Sequence, residues 1–328
     1  MDGRYVLRKQ PNVFGAIITG FKSLSTHIYL LLFPLGLDIL LLFGPRFTIS
    51  ALTGKFFAML TPYLESSAEL KQIWSDMSAS LSGFFKSYSL SSALRSYPLG
   101  VPSLLSGQVF MANPFGALPE IILNTEAQAL KYLLIFGAFG ALLGLIYFYG
   151  CALPPLREFN KQPSKSTLSS IGSLLLLPIL FWVGLVAISF PVSLIVSLLS
   201  LISPFLGLLA YFFCAMIAIS LSLPLLFAPH AVILLNQNIW QGIRSSIRYI
   251  RPYYSATSLF VILSVLLSYL TNLLWQSAGT NSLMVFVGIF GHALITTALL
   301  LASFYYFIRV IEMNRETDLA KQALENIL

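Results

Sequence analysis

Leu174-Leu-Leu-Leu-Pro-Ile-Leu-Phe-Trp-Val-Gly-Leu-Val-Ala-Ile-Ser-Phe-Pro-Val192 carries no charge, and it lies inside a longer desert. Between Lys165 and Arg244 stand 78 residues without Asp, Glu, Lys or Arg. A helix crosses about 30 Å of hydrocarbon with roughly 20 apolar residues, so this desert holds two spans, dividing near Ser200 to Pro204. A second desert of 57 residues separates Arg251 from Arg309 and divides at the polar Gln276-Ser-Ala-Gly-Thr-Asn-Ser282. Over the 328 residues, 57% are hydrophobic and only 9% charged, whereas a soluble domain carries about 25% charged residues to cover its surface. That composition excludes a soluble enzyme, a disordered tail and a disulfide-stapled secreted domain. It predicts an all-α, polytopic transmembrane helical bundle.

Working outward, the spans fall at 27–44, 130–150, 170–192, 206–230, 254–275 and 284–308. Pro178, Pro191, Pro204 and Pro224 allow five or seven as alternatives to six. The first apolar run, from Ile28, lacks a small-residue cleavage site and reads as a retained anchor. With six spans, the segments 1–26, 151–169, 231–253 and 309–328 share one side. They hold thirteen of the nineteen basic residues, among them Arg4, Arg8, Lys9, Lys161 and Lys165. Positive loops stay inside, so both termini are expected in the cytoplasm, as in a bacterial plasma (inner) membrane. The segment 45–129 is then extracytoplasmic. It is Ser-rich, has apolar helical spacing over about 52–88, and turns irregular at Tyr97-Pro98, Val101-Pro102, Asn113-Pro114 and Leu118-Pro119. It reads as a helical cap with too little β-pattern for a sheet domain.

An internal repeat links the two ends of the chain. Asn12-Val-Phe-Gly-Ala-Ile-Ile-Thr-Gly-Phe-Lys-Ser-Leu24 aligns with Asn238-Ile-Trp-Gln-Gly-Ile-Arg-Ser-Ser-Ile-Arg-Tyr-Ile250. Asn12 meets Asn238, Phe14 meets Trp240 and Lys22 meets Arg248. Both copies precede a span running the same way, as a parallel repeat requires. In the second copy Ile239, Trp240, Ile243, Ile247 and Ile250 form an apolar face opposite Arg244, Arg248 and Arg251. This is an amphipathic helix for the membrane interface. Phe14 and Trp240 are its expected anchors, and Lys22, Arg244, Arg248 and Arg251 its contacts to anionic lipid headgroups. The same arginines also set topology.

The stretch Ala228-Pro-His-Ala-Val-Ile-Leu-Leu-Asn-Gln-Asn-Ile-Trp-Gln-Gly-Ile-Arg-Ser-Ser-Ile-Arg-Tyr-Ile250 resembles bacterial polytopic proteins of the glycerophosphoryl diester phosphodiesterase membrane-domain group. Those proteins join a Pro-ended span, an acidic residue and an amphipathic helix leading to the next span. Pro34 to Asp38 is similar too, and Asn236 departs from the pattern, where Glu is common. The resemblance implies a membrane-embedded helical bundle and not phosphodiesterase chemistry, whose catalytic barrel is a further soluble domain.

Few residues suggest chemistry. Asp38 is the acidic residue inside a span, where a carboxylate must be paired, protonated or hydrated. It is read either as a transport or proton site or as a structural hydrogen bond. His292 follows Gly288 and Gly291, which admit a neighbour or a flat ligand. With His230 it carries the minor reading of haem or chlorophyll ligation; helix–helix hydrogen bonding is the main one. His27 starts the first span. Gly137, Gly140, Ala141 and Gly144 form overlapping small-xxx-small pairs that mark tight packing. Cys151 and Cys214 have no partner at metal or redox spacing. No phosphate loop, zinc motif or nucleophile triad is present, and no metal or nucleic acid is expected. The expected function is a non-enzymatic scaffold or accessory subunit contacting anionic lipid, with other membrane subunits as partners. The alternative is a transporter or permease for a small or amphipathic solute using Asp38.

Overall fold

A computed structural model describes residues 10–64, 68–108, 110–159, 172–277 and 279–325. Arg4, Arg8, Lys9, Lys161 and Lys165 lie outside the described residues. The chain is all-α, 81% helical with almost no strand. Its helices are α1 (Val13–Thr26), α2 (Leu32–Phe43), α3 (Ser50–Leu64), α4 (Ala68–Ser87), α5 (Glu126–Glu158), α6 (Leu176–Ile202), α7 (Pro204–Leu225), α8 (Ala228–Leu234), α9 (Ile239–Ile250), α10 (Tyr254–Gln276) and α11 (Val285–Glu325). Among the described residues, five stretches are long and apolar enough to cross a membrane: 126–158, 176–202, 204–234, 239–276 and 285–319. A sixth arises if Val13–Thr26 and Ile28–Phe43, bent by 94°, count as one. The charge desert thus contains two spans, and Pro204 divides them as the first residue of α7, where its missing N–H costs nothing.

Two compact units divide the chain. One comprises Met1–Ile28, Phe148–Leu267 and Thr297–Leu328, the other Tyr29–Tyr147 and Ser268–Thr296. In the first, the repeat is visible as structure. Asn12 Oδ1 accepts from Gly15 N at 2.8 Å, and Asn238 Oδ1 accepts from Gln241 N at 2.9 Å. Both asparagines are therefore N-caps, and Gln241 completes a capping box. The buried faces match at four positions, and α1 buries Ser23 in addition. Val13, Ala16, Gly20 and Leu24 of α1 correspond to Ile239, Gly242, Ser246 and Ile250 of α9. Each helix then passes through a 3-10 turn, Ile28–Leu31 or Arg251–Tyr253, into its apolar successor.

The face that α9 buries comprises Ile239, Gly242, Ser246 and Ile250. Small Gly242 and Ser246 face the chain, with Gly242 against Val232 and the Ser246 hydroxyl donating to the Pro224 carbonyl. Trp240 and Ile247 remain 61% and 42% exposed. Close backbone approach selects small residues at the centre of a helix contact; Ile239 and Ile250 are buried at its two ends, and Trp240 and Ile247 point outward. The sharp reversal before α9 explains Asn236. Its φ is +53°, and Gln237 N bonds Val232 O while Asn236 N bonds Ile233 O, a Schellman ending of α8. Asn tolerates that left-handed backbone better than Glu.

In the second unit the 45–129 segment contains α3 and α4, packed through Phe57 and Trp74. The Trp74 indole N–H donates to Thr61 Oγ1 at 3.0 Å. Its ends are drawn together by a parallel pair of three-residue strands, β1 (Arg46–Thr48) and β4 (Glu120–Ile122). Between them β2 (Ala112–Asn113) and β3 (Gly116–Ala117) make a short antiparallel turn. Gly140 and Gly144 of α5 rest on backbone of the 94–100 stretch. A Cβ on Gly144 would meet Gly100 Cα and Leu99 O at 2.6 Å, and one on Gly140 would strike the Leu94 carbonyl. Ala141 is half-buried beside them. Gly137 departs from the expected packing face: a Cβ there meets open space. The glycine face thus seats an irregular loop, and it ends one turn before Gly137.

Candidate functional site

Asp38 sits on the buried side of α2 with no exposed surface. Its carboxylate receives three donors from one short segment. Ser103 Oγ donates to Oδ1 at 2.5 Å, Leu105 N to Oδ1 at 3.0 Å and Leu104 N to Oδ2 at 3.0 Å. Ser103 also accepts from Ser106 N at 3.0 Å, closing the 3-10 turn Leu105–Gly107. Asp38 therefore caps a turn 65 residues away in sequence, supplying the anion that converging N–H groups favour. Arg95 ties the same turn from its other side, donating to Ser103 O at 3.2 Å and Ser106 Oγ at 3.4 Å. Its guanidinium acts electrostatically on both Asp38 and His292. Arg95 and Ser103 are the partners that the sequence reading missed. A lone acid within a span signals that donors exist, but not which serines of a Ser-rich segment provide them.

His292 is buried on α11, and its Nε2 has no hydrogen-bond partner among the described residues. The same holds for Trp275 Nε1 and Asn272 Oδ1, one turn apart on α10. Gly288 and Gly291 admit a flat ring, and the ring that lies there is Trp275. A Cβ on Gly291 would stand 2.6 Å from the indole, and one on Gly288 2.8 Å from the Trp275 carbonyl.

His230 lies elsewhere, on α8, within an aromatic shell. Phe304, Phe148 and Phe227 have ring centroids at 4.4, 5.1 and 5.2 Å from it. Ser303 Oγ already donates to Leu300 O at 2.7 Å. His230 Nε2 and Ser303 Oγ lie 2.7 Å apart, a helix-to-helix hydrogen bond between α8 and α11. His27 closes α1, with Nδ1 2.9 Å from Ser23 O.

The basic residues are exposed. Lys22 on α1 and Arg244, Arg248 and Arg251 at α9 face outward, as do Phe14 at 64% and Trp240 at 61%. Cys151 is buried and Cys214 partly so, and the two form no disulfide. No group of three His, Cys, Asp or Glu side chains is placed to hold a metal among the described residues.

The fold defines a polytopic α-helical membrane protein. No family model, curated protein or solved structure matches the chain, so its chemistry rests on its own residues. At Asp38 those residues form an anchoring clasp. Both carboxylate oxygens are engaged by donors of the chain.

Proposed function

We propose that the chain is a non-enzymatic scaffold or accessory subunit of a membrane complex, holding anionic lipid on its basic face. The observation that carries the subunit reading is α6. None of its 27 residues is buried, although every one belongs to a span-length apolar helix. Along it Ser189, Ser193 and Ser197 recur at four-residue spacing on exposed positions. Ser189 and Ser193 donate back to their own helix. Such small-xxx-small rows let another helix approach closely. A photo-reactive residue placed at Ser193 is expected to give a discrete protein adduct in native membranes. Adducts to lipid alone would overturn the subunit reading.

The lipid reading is supported by α9, whose exposed Trp240 and Ile247 flank exposed Arg244 and Arg248 while its opposite face is fixed to α8. Each arginine near an anionic leaflet contributes about 1 kcal/mol. Replacing Arg244, Arg248 and Arg251 together by Gln should therefore reduce anionic-lipid enrichment around the protein by about a hundred-fold at low salt, with a smaller effect at high salt. Lipid mass spectrometry of nanodiscs of mixed composition measures it, and unchanged enrichment would remove this half of the reading.

A bacterial plasma membrane with cytoplasmic termini belongs to the same proposal, as does kinship to the phosphodiesterase membrane-domain group. It is supported by the way three inner segments meet in one unit: residues 12–19, 158–159 and 305–309 line a common cavity. The fourth joins them through Asn314 Nδ2, which donates to Tyr249 O at 3.2 Å. Coupled transport through Asp38 has less support, because its oxygens are already occupied by donors of the chain.

A further inference from the structure

Between the start of α1, the end of α5 and the middle of α11 lies a cavity of about 200 Å³, lined by Asn12, Thr19, Glu158, Phe159, Tyr305 and Arg309 with Gly15 and Ala16. One water needs roughly 10–15 Å³, so this space suits a small polar group. Its walls carry both signs of charge without neutralising them. Arg309 pairs with no carboxylate among the described residues, although Glu158 lines the same cavity. The uncharged groups sort likewise. Asn12 spends Oδ1 on the Gly15 N–H and keeps its amide donors. Thr19 spends its proton on Gly15 O at 2.8 Å and keeps only acceptor capacity. The Tyr305 hydroxyl donates to Ser23 Oγ at 3.2 Å and lies beside the Glu158 carboxylate, giving the cavity a defined wall that leaves the Glu158 charge without a cation among the described residues. On the neighbouring face of α1, Phe14 and Ile18 are 64% and 67% exposed, an apolar strip beside a polar hole.

We propose that this cavity binds a phosphoethanolamine group, the headgroup of a zwitterionic aminophospholipid. Arg309 and the Asn12 amide take the phosphate, as guanidinium and amide donors do. Glu158 and the Thr19 oxygen take the primary ammonium, and the acyl chains run along Phe14 and Ile18. An anionic headgroup without an amine leaves Glu158 unpaired, and a quaternary amine has no N–H to donate to it. The site is distinct from the arginine face of α9, so the failure of one leaves the other standing.

The full-length protein in nanodiscs of equal phosphatidylethanolamine, phosphatidylcholine and phosphatidylglycerol, released for native mass spectrometry, tests this. The wild type should retain phosphatidylethanolamine preferentially. Glu158→Gln should lower its preference over phosphatidylcholine by about ten-fold, the scale of one charge-assisted hydrogen bond, and Arg309→Gln should weaken retention of all three. Glu158→Lys should shift retention toward phosphatidylglycerol, a gain that misfolding does not produce. Displacement by millimolar free phosphoethanolamine would assign the site to the soluble group; resistance to it would assign the site to the lipid. Wild-type retention in the ratio supplied, or an unchanged preference in Glu158→Lys, would overturn the proposal.

Discussion

Asp38→Ala should cost about 3–5 kcal/mol of stability, the range for removing one partner of a buried, fully paired charge. The side chain leaves three donors behind: the Ser103 hydroxyl and the N–H groups of Leu104 and Leu105. Each buried donor without a partner costs about 1–3 kcal/mol, and in a membrane protein no bulk water enters to replace the acceptor. Arg95 loses the anion it faces at the same moment. Asp38→Asn should be destabilising as well, since its amide turns donors toward donors. Ser103→Ala removes one bond and should cost only about 1–2 kcal/mol. Thermal unfolding in mild detergent, read by size-exclusion profile and tryptophan fluorescence, ranks the three. Should Asp38→Asn unfold like the wild type and lose only solute uptake, the clasp would be the wrong account and the transport alternative the right one.

Gly144→Leu should be as damaging, with a loss above about 3 kcal/mol, beyond the usual cost of overpacking a core. The new side chain would meet Gly100 Cα and the Leu99 carbonyl at 2.6 Å. Both are backbone atoms, unable to rotate aside as a flexible side chain can. Gly137→Leu, two turns earlier on α5, is the matched control. It enters open space and should change stability by no more than about 0.5 kcal/mol, the range for unconstrained surface positions. Equal effects at the two glycines would mean that α5 is not held against the 94–100 loop.

These two experiments probe positions that look alike in the sequence. Gly137 and Gly144 belong to one small-xxx-small pattern, and nothing along the chain separates them. What separates them is a loop from forty residues upstream. Asp38 poses the same difficulty. Its isolation in an apolar span announced a buried acid needing partners, and the Ser-rich 45–129 segment offered many. Only the placement of the Leu105–Gly107 turn over α2 selects Ser103. The aromatic ring on Gly291 is a third instance: the glycines left room for a neighbour or a flat ligand, and that Trp275 fills it is a property of the α10–α11 pairing.

Other features were legible because their causes are local. The charge deserts and Pro204 mark two spans, since each span pays its solvation cost within its own residues. The Asn12 and Asn238 repeat predicts two equivalent helices, because N-caps act within three residues. The amphipathic character of α9 was equally plain, yet its buried side was not. Local periodicity places the large apolar residues toward the acyl boundary, and it does not show that Gly242 packs on α8 and Ser246 on α7.

The sequence by itself determined that this protein is helical, membrane-embedded and internally repeated, for hydropathy and capping are short-range quantities summed along the chain. The tertiary structure alone decided what Asp38 holds, which glycines are indispensable, and that Arg309 and Glu158 line one cavity without an ion pair between them. Those are relations between segments up to several hundred residues apart, and their energies depend on distances that no local pattern encodes.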